Sequence, residues 1–356
     1  MDWFMKKKDS RIKDLVAEVA EGRPAELIED MIETALRFGK DKAGVGALKL
    51  YSRALRELRY AASVFQPYEG IRKVAVFGSA RTNPKAEEYH LAREFSRRMV
   101  EFDWMVITGG GEGIMGAAQE GAGTEKSFGL NIQLPFEQRA NEWIEGDKKL
   151  INFRYFFTRK LNFVKETHAV ALLPGGFGTH DEGFEALTLI QTGKSPVVPI
   201  IFLDRPNGHY WETWRRFVAN DLLAQKLISP SDLNLFLITN DIEEAIAEVL
   251  QFYRNFHSYR WVQKRMVIRV SRRLTDAAIA KLNEEFKALL VSDQITQTTA
   301  LPEEAGDAHL AHFYRIVLIP NRHDFGTVRL LIDAINRAAT ETKRAAMANV
   351  ATTQQV

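Results

Sequence analysis

The chain has 356 residues with 46% hydrophobic and 26% charged content, ordinary for a soluble globular protein, and its formal net charge of +2 gives no general argument for nucleic acid or for acidic surfaces. It contains no cysteine, which excludes disulfides, thiol nucleophiles and cysteine-ligated metal sites and fits a cytoplasmic protein. No apolar run approaches a membrane span, and the lysines at 6–8 have no apolar stretch behind them, so neither a membrane segment nor a secretory signal is expected.

The length suits one large core with additions. Residues 1–68 read as peripheral helices. Ile12, Leu15, Val16 and Val19 recur at helical spacing, as do Leu27, Met31, Ile32 and Leu36, and Leu48, Tyr51, Leu55 and Leu58 continue the pattern. None of these residues brings evident chemistry; packing on a main domain or on a second subunit accounts for them.

A core assigned to residues 69–255 follows. Lys73-Val-Ala-Val-Phe77 reads as a strand ended by Gly78, Ser79 and Ala80, with a helix over 86–101. Trp104-Met-Val-Ile-Thr108 is the next strand; it runs into Gly109-Gly-Gly-Glu-Gly-Ile-Met-Gly116 and a small-residue helix. Strands are expected at 129–134 and 150–152, and a helix over 155–166. The apolar run 169–173, bounded by Pro174, is a buried strand leading to an amphipathic segment over 179–192. A strand at 197–203, a helix over 211–223, a short strand at 234–238 and a helix over 242–252 close the core. Alternation at this spacing means an α/β fold, a doubly wound, parallel, Rossmann-like sheet. Ligands of such sheets lie outside the carboxyl ends of the strands, where the strand order reverses.

The chain is organised around Pro174-Gly-Gly-Phe-Gly-Thr-His-Asp-Glu182. Strand, glycine turn and helix together make an anion site. Gly175, Gly176 and Gly178 let the backbone approach a ligand, and free N–H groups at the helix start point at negative charge. Thr179 can cap the helix or donate its hydroxyl to a phosphate oxygen. Glu182 lies three residues on, on the same helix face. A carboxylate repels phosphate, so its sensible target is the sugar beside it. Acidic residues also suit a first helical turn for the dipole alone. Two further strands, however, end in small-residue turns, at Gly78-Ser79 and at 109–113, and three such turns on one edge are hard to explain without a phosphate-bearing ligand.

The second turn is not the dinucleotide fingerprint, which belongs on the first βα turn with an acidic residue ending the next strand, where this chain has Thr108. There is no P-loop, no His-Glu-x-x-His and no carboxylate cluster at metal spacing, so neither a metal nor a cofactor is expected. His180 beside Asp181 reads as a solvated helix start. The chemistry then falls to Glu182 and a nearby cation. Arg159 and Lys160, in Tyr155-Phe-Phe-Thr-Arg-Lys160, are the best placed by sequence. Such residues are often plain surface charges, but an anionic ligand calls for the planar fork of an arginine.

The stretches Gly109–Gly116, Arg159-Lys160 and Pro174–Glu182 together resemble the LOG (LONELY GUY) family, whose members are often labelled lysine decarboxylases. The resemblance covers roughly residues 70–255, including Ile228-Ser-Pro-Ser-Asp-Leu233. It implies a nucleoside 5'-monophosphate phosphoribohydrolase acting on an AMP-like or cytokinin riboside monophosphate, with Arg159 and Glu182 as the catalytic pair. Gly175, Gly176, Gly178 and Thr179 would hold the phosphate. Gly78, Ser79, Gly110, Gly111, Gly113, Met115 and Lys160 would complete the substrate site. Phe156 stands where many members carry Met near the base. The chain is longer at both ends than the short form, closer in size to bacterial nucleotide nucleosidases. Resemblance and the apolar N-terminal helices together imply a homodimer or dimer-based oligomer, which would cover those faces. A carrier of a phosphorylated ligand such as molybdenum cofactor is the alternative; it needs the phosphate turn but not the Arg159 and Glu182 pair. A pyridoxal-phosphate decarboxylase would need a Schiff-base lysine in its own fold, and no such arrangement is seen.

After about residue 255 the pattern changes. A strand at 266–270, a helix over 276–290, a strand at 313–319 and a helix over 328–335 form a small α+β module, assigned to 256–338. The stretch 339–356, rich in Ala, Thr and Gln, reads as a frayed helix and disordered tail.

Overall fold

Apolar residues at helical spacing form three N-terminal helices, and a computed structural model describes residues 10–134 and 139–341 of the chain. Two units result, Met1–Ser63 and Val64–Val356. In the first, α1 (Ser10–Ala17) buries Ile12 and Val16. The longer α2 (Gly22–Lys40) carries Pro24 near its start and Arg37 and Lys40 in its last turn, both suited to their ends of a helix. It buries none of its residues. Phe38 of α2 stacks on Tyr51 of α3 (Val45–Phe65) with ring centroids 4.8 Å apart.

The second unit is built on a seven-stranded sheet in the order β4-β3-β2-β1-β5-β6-β7, parallel throughout. Its strands are β1 (Lys73–Phe77), β2 (Met105–Thr108), β3 (Ser127–Ile132), β4 (Leu150–Phe153), β5 (Ala169–Leu172), β6 (Ile200–Leu203) and β7 (Leu237–Thr239). The fully buried runs of β1, β2, β5 and β6 are the mark of strands covered on both faces. One face is covered by α4 (Glu87–Glu101), α5 (Ile114–Ala122) and α9 (Ile242–Phe252), through Phe95, Met99, Ile114 and Val249. The other carries α6 (Phe156–Glu166), α7 (Phe177–Gln191) and α8 (Tyr210–Phe217). Phe163 of α6 meets Phe77 at 4.9 Å, and Trp211 and Trp214 of α8 meet Phe202 at 4.7 and 4.4 Å. Order reverses between β1 and β5, so the crevice between their carboxyl ends is where a ligand is expected.

Two boundaries differ from expectation for local reasons. The strand expected at 234–238 moves to β7, because Pro230–Leu235 closes as a 3-10 helix. Pro230 starts it, and Ser229 and Asp232 form a reciprocal capping box. The helix expected over 211–223 ends as α8 and continues as one π-helical stretch, Val218–Leu223.

The C-terminal residues form a four-stranded antiparallel sheet, β10-β11-β9-β8, within the same compact unit. Its strands are β8 (Phe256–Val262), β9 (Arg265–Val270), β10 (Leu290–Thr298) and β11 (Tyr314–Pro320), with helices α10 (Asp276–Glu285) and α11 (Phe325–Arg337). Strands β8 and β10 are additions to the expected module; their mixed polar and apolar runs carry no clean alternation. Three arginines of the sheet gather on one 3-10 segment: Arg269 and Arg315 on buried Glu304, and Arg260 and Arg269 on Asp307. Order continues to Glu341, whose N–H donates to Arg273, and Thr340 bridges Leu274. Most of the expected tail, 342–356, lies outside the described residues.

Candidate active site

The β1 and β5 turns are tied together at the switch point. Ser79 N–H donates to the Pro174 carbonyl at 3.1 Å, and Ile114 N–H at the start of α5 donates to Ser79 O at 3.0 Å. Gly113 has φ +65°, and a Cβ there would stand 2.4 Å from Ser79 O, so only glycine lets α5 come this close. Between these elements opens a cleft of about 760 Å³. Its walls include Gly78, Ser79, Met115, Arg159, Gly175, Gly176, Gly178, Thr179 and Glu182.

The remaining expected residues stand behind the wall. Gly110, with φ +75°, has its N–H on Thr108 Oγ1 at 2.9 Å and its carbonyl on Asn141 N–H at 2.9 Å. Asn141 Nδ2 also holds Gly111 O at 2.8 Å. Gly111 makes room for Met115, whose Cε would lie 2.9 Å from an added Cβ. The second turn thus shapes the site through Met115. Lys160 is half-buried outside the lining, 2.7 Å from Asp181, 3.0 Å from Glu185 and 3.8 Å from Glu182.

Helix α7 begins at Phe177, directly after the glycine turn, so the first N–H groups have no partner within the helix. Gly175 is fixed by close packing: a Cβ would fall 2.1 Å from Thr179 Oγ1. One helical turn on, Glu182 is 9% exposed and its Oε1 lies 3.3 Å from Arg159 Nη1. Arg159 is anchored from behind by donation from Nε to Leu130 O at 2.7 Å, with its guanidinium 4.9 Å over the Phe163 ring. Its Nη2 sits where a Cβ on Gly109 would intrude at 2.8 Å, and has no partner among the described residues. Burial pushes the Glu182 carboxyl up, opposed first by Arg159 and then by Lys160. Burial likewise lowers Arg159, and Glu182 opposes the fall. The result is a desolvated carboxylate braced by one arginine, a turn of helix from a bare amide nest.

Among the lining residues, Arg81 and Tyr210 were not singled out from sequence. Arg81 and Ala80 follow directly on Gly78-Ser79, and the first cation after a β1 turn should flank the crevice. Tyr210 reaches the cleft from the connection after β6, the strand next to β5. Its hydroxyl donates to Gly175 O and lies 2.7 Å from His180 Nε2, so His180 is not a merely solvated helix start. Asp181 lines the cleft, paired with Lys160. Among the described residues no group of three or more His, Asp or Glu gathers at metal distance.

Residues 115–249 match a family model described as possible lysine decarboxylase. A curated relative, the cytokinin riboside 5'-monophosphate phosphoribohydrolase of Mycobacterium tuberculosis (strain ATCC 25618 / H37Rv), is 29% identical over 175 residues, spanning 49% of this chain and 90% of that protein. Among solved structures, the molybdenum cofactor carrier protein of Chlamydomonas reinhardtii is 21% identical, spans 51% of this chain and 97% of its own, and superposes with a TM-score of 0.37. The molybdenum cofactor binding protein of Rippkaea orientalis is 20% identical, over 49% of this chain and 93% of its own, with a TM-score of 0.33.

Proposed function

We propose that this chain, which matches a family model over residues 115–249 and resembles the LOG family, is a nucleoside 5'-monophosphate phosphoribohydrolase, cleaving the N-glycosidic bond to give free base and ribose 5-phosphate. The observation that carries the reading is the buried Arg159 and Glu182 pair one turn along α7 from the glycine nest. Three residues of helix rise about 4.5 Å, so phosphate on the turn leaves the sugar beside the carboxylate. A carrier of a phosphorylated ligand needs the turn but gains nothing from a desolvated ion pair beside it.

Water adds to C1' as the bond to the base nitrogen breaks. The nitrogen keeps the bonding pair and takes a proton, and water's other hydrogen remains on the new C1' hydroxyl. Charge builds at the sugar in an oxocarbenium-like state. The Glu182 carboxylate, held close and dry, stabilises that charge and orients water or the ribose hydroxyls. Arg159 fixes the carboxylate. Water is the only co-substrate of the reaction as written.

The walls favour a purine-sized or modified base: Phe156 and Met115 line the cleft and offer an apolar ring and thioether to stack against it. Incubation with a panel of nucleoside monophosphates, reading free base by chromatography, tests the assignment. Release of base from at least one of them is expected. A panel from which none is released would contradict it.

A further inference from the structure

The glycine turn is held from outside as well as by its own packing, and the hold runs through residues with no assigned part in the reaction. Asp204, buried at the end of β6, accepts Arg205 N–H at 2.9 Å and Tyr210 N–H at 2.8 Å. A Cβ on Gly208 would land 2.2 Å from Asp204 Oδ1, so this loop closes tightly around the carboxylate. Asn240, after β7, donates to the carbonyls of Arg205 and Gly208, at 2.9 Å each. The loop so fixed delivers Tyr210 to the anion turn.

Hydrogen-bond valence orders the rest. The Tyr210 hydroxyl has one proton, and the Gly175 carbonyl can only accept it. Toward His180 Nε2 the hydroxyl must therefore accept, so Nε2 carries a proton and the chain runs from His180 to Tyr210 to Gly175 O. The Gly175 carbonyl and the Gly176 N–H belong to one planar trans peptide and point in opposite directions. Holding the carbonyl on the Tyr210 side turns the Gly176 N–H away from it.

We propose that Tyr210, oriented by His180 and Asp204, is a positioning residue that sets the Gly175–Gly176 peptide so that its N–H joins the amide nest for the 5'-phosphate. This rests on the reading of the glycine turn as the phosphate site. Without the hydroxyl the Gly175 carbonyl loses the hydrogen bond that sets its direction, and the nest's donor is less well aligned before the ligand arrives. The cost falls on binding of the phosphate rather than on cleavage.

The test is calorimetric binding of ribose 5-phosphate and AMP, with adenosine as the uncharged control, to wild type, Tyr210→Phe, His180→Phe and His180→Gln. Losing one aligned donor should weaken both phosphorylated ligands by about tenfold in Tyr210→Phe, leave adenosine unchanged, and raise KM for AMP with a much smaller effect on kcat. His180→Phe should show a weaker form of the same defect. His180→Gln, which keeps a donor for the hydroxyl, should recover most of it. A merely structural role would lower thermal stability without separating phosphorylated from unphosphorylated ligands. Tyr210→Phe binding ribose 5-phosphate as wild type does would overturn the inference and leave the parent reading standing. Should Tyr210→Phe not fold, the His180 pair decides: equal binding by His180→Phe and wild type overturns it. Wild type binding neither phosphorylated ligand would overturn both.

Discussion

Arg159 Nη1 lies 3.3 Å from Glu182 Oε1, and the two side chains, each about one-tenth exposed, meet at the floor of the cleft between β1 and β5. A carboxylate that a loop could have left in water is instead desolvated, and the only guanidinium lining the cleft from α6 is pinned behind it by the Leu130 carbonyl. On the proposed function the pair should act as one unit. Arg159→Ala and Glu182→Gln should slow the same step, and the double variant should be little worse than the poorer single one. Single-turnover rates on the three proteins check this.

Burial raises the Glu182 carboxyl above its ordinary value of 4.5, and Arg159 and then Lys160 oppose that rise. Activity needing the carboxylate should fall on its acid limb at a pH above the ordinary glutamate range. Lys160→Met removes a charge that favours ionisation, so the limb should move further up. Stability follows the opposite course. The native state holds this proton more tightly than the unfolded chain, so Glu182 contributes stability below its unfolded value and loses it as pH rises through the native one. A pH profile of kcat/KM for wild type and Lys160→Met tests the first claim; an acid limb that stays put in the variant contradicts it.

The glycines of the turn should separate structure from binding. Gly175→Ala drives a Cβ to 2.1 Å from Thr179 Oγ1 and should lower stability by about 1–3 kcal/mol. At Gly178 nothing stands within 4 Å of an added Cβ, and the backbone there is not in the left-handed region. Gly178→Ala should therefore fold as well as wild type or better, since alanine favours a helix by up to about 1 kcal/mol, yet bind AMP less tightly because the methyl stands in the cleft. Thermal melts and AMP titrations on both variants make the comparison.

If the turn anchors phosphate through several charge-assisted hydrogen bonds, each contributing about 1.5–3 kcal/mol, the 5'-phosphate is required. Adenosine should be cleaved orders of magnitude more slowly than AMP. Equal turnover of the two would remove the turn from the mechanism.

The N-terminal helices expose Leu15, Leu27, Met31, Leu36 and Leu55, and the turn after α1 exposes Val19. A second copy of the chain would cover such faces, and light scattering at micromolar concentration should give a dimer or a multiple of it. A monomer would contradict this.

Much of the fold was legible because parallel strands buried on both faces leave short apolar runs, as in β1 and β5, and glycines mark where each ends. The place of Glu182 was legible because α7 starts immediately after a glycine turn, which sets the carboxylate one helical turn from it; its pairing with Arg159 was implied only by the family resemblance. What sequence could not supply was partnership across the sheet edge. Tyr210 reads as an ordinary aromatic in an aromatic-rich helix until β6 is known to lie beside β5. His180 likewise reads as solvated until Tyr210 is placed on it. Lys160, adjacent to Arg159 in sequence, faces Asp181 and Glu185 because successive helix residues diverge by about 100°. Strands β8 and β10 were hidden because their pairing partners, not their own periodicity, make them strands.

Glu182→Gln most directly distinguishes a carboxylate that does chemistry from one that merely suits a helix dipole. The variant keeps the shape of the side chain and removes its charge. AMP binding measured by calorimetry should survive, while release of adenine slows by about 10²–10⁴-fold. A purified, folded Glu182→Gln protein that binds AMP and releases adenine at the wild-type rate would contradict it.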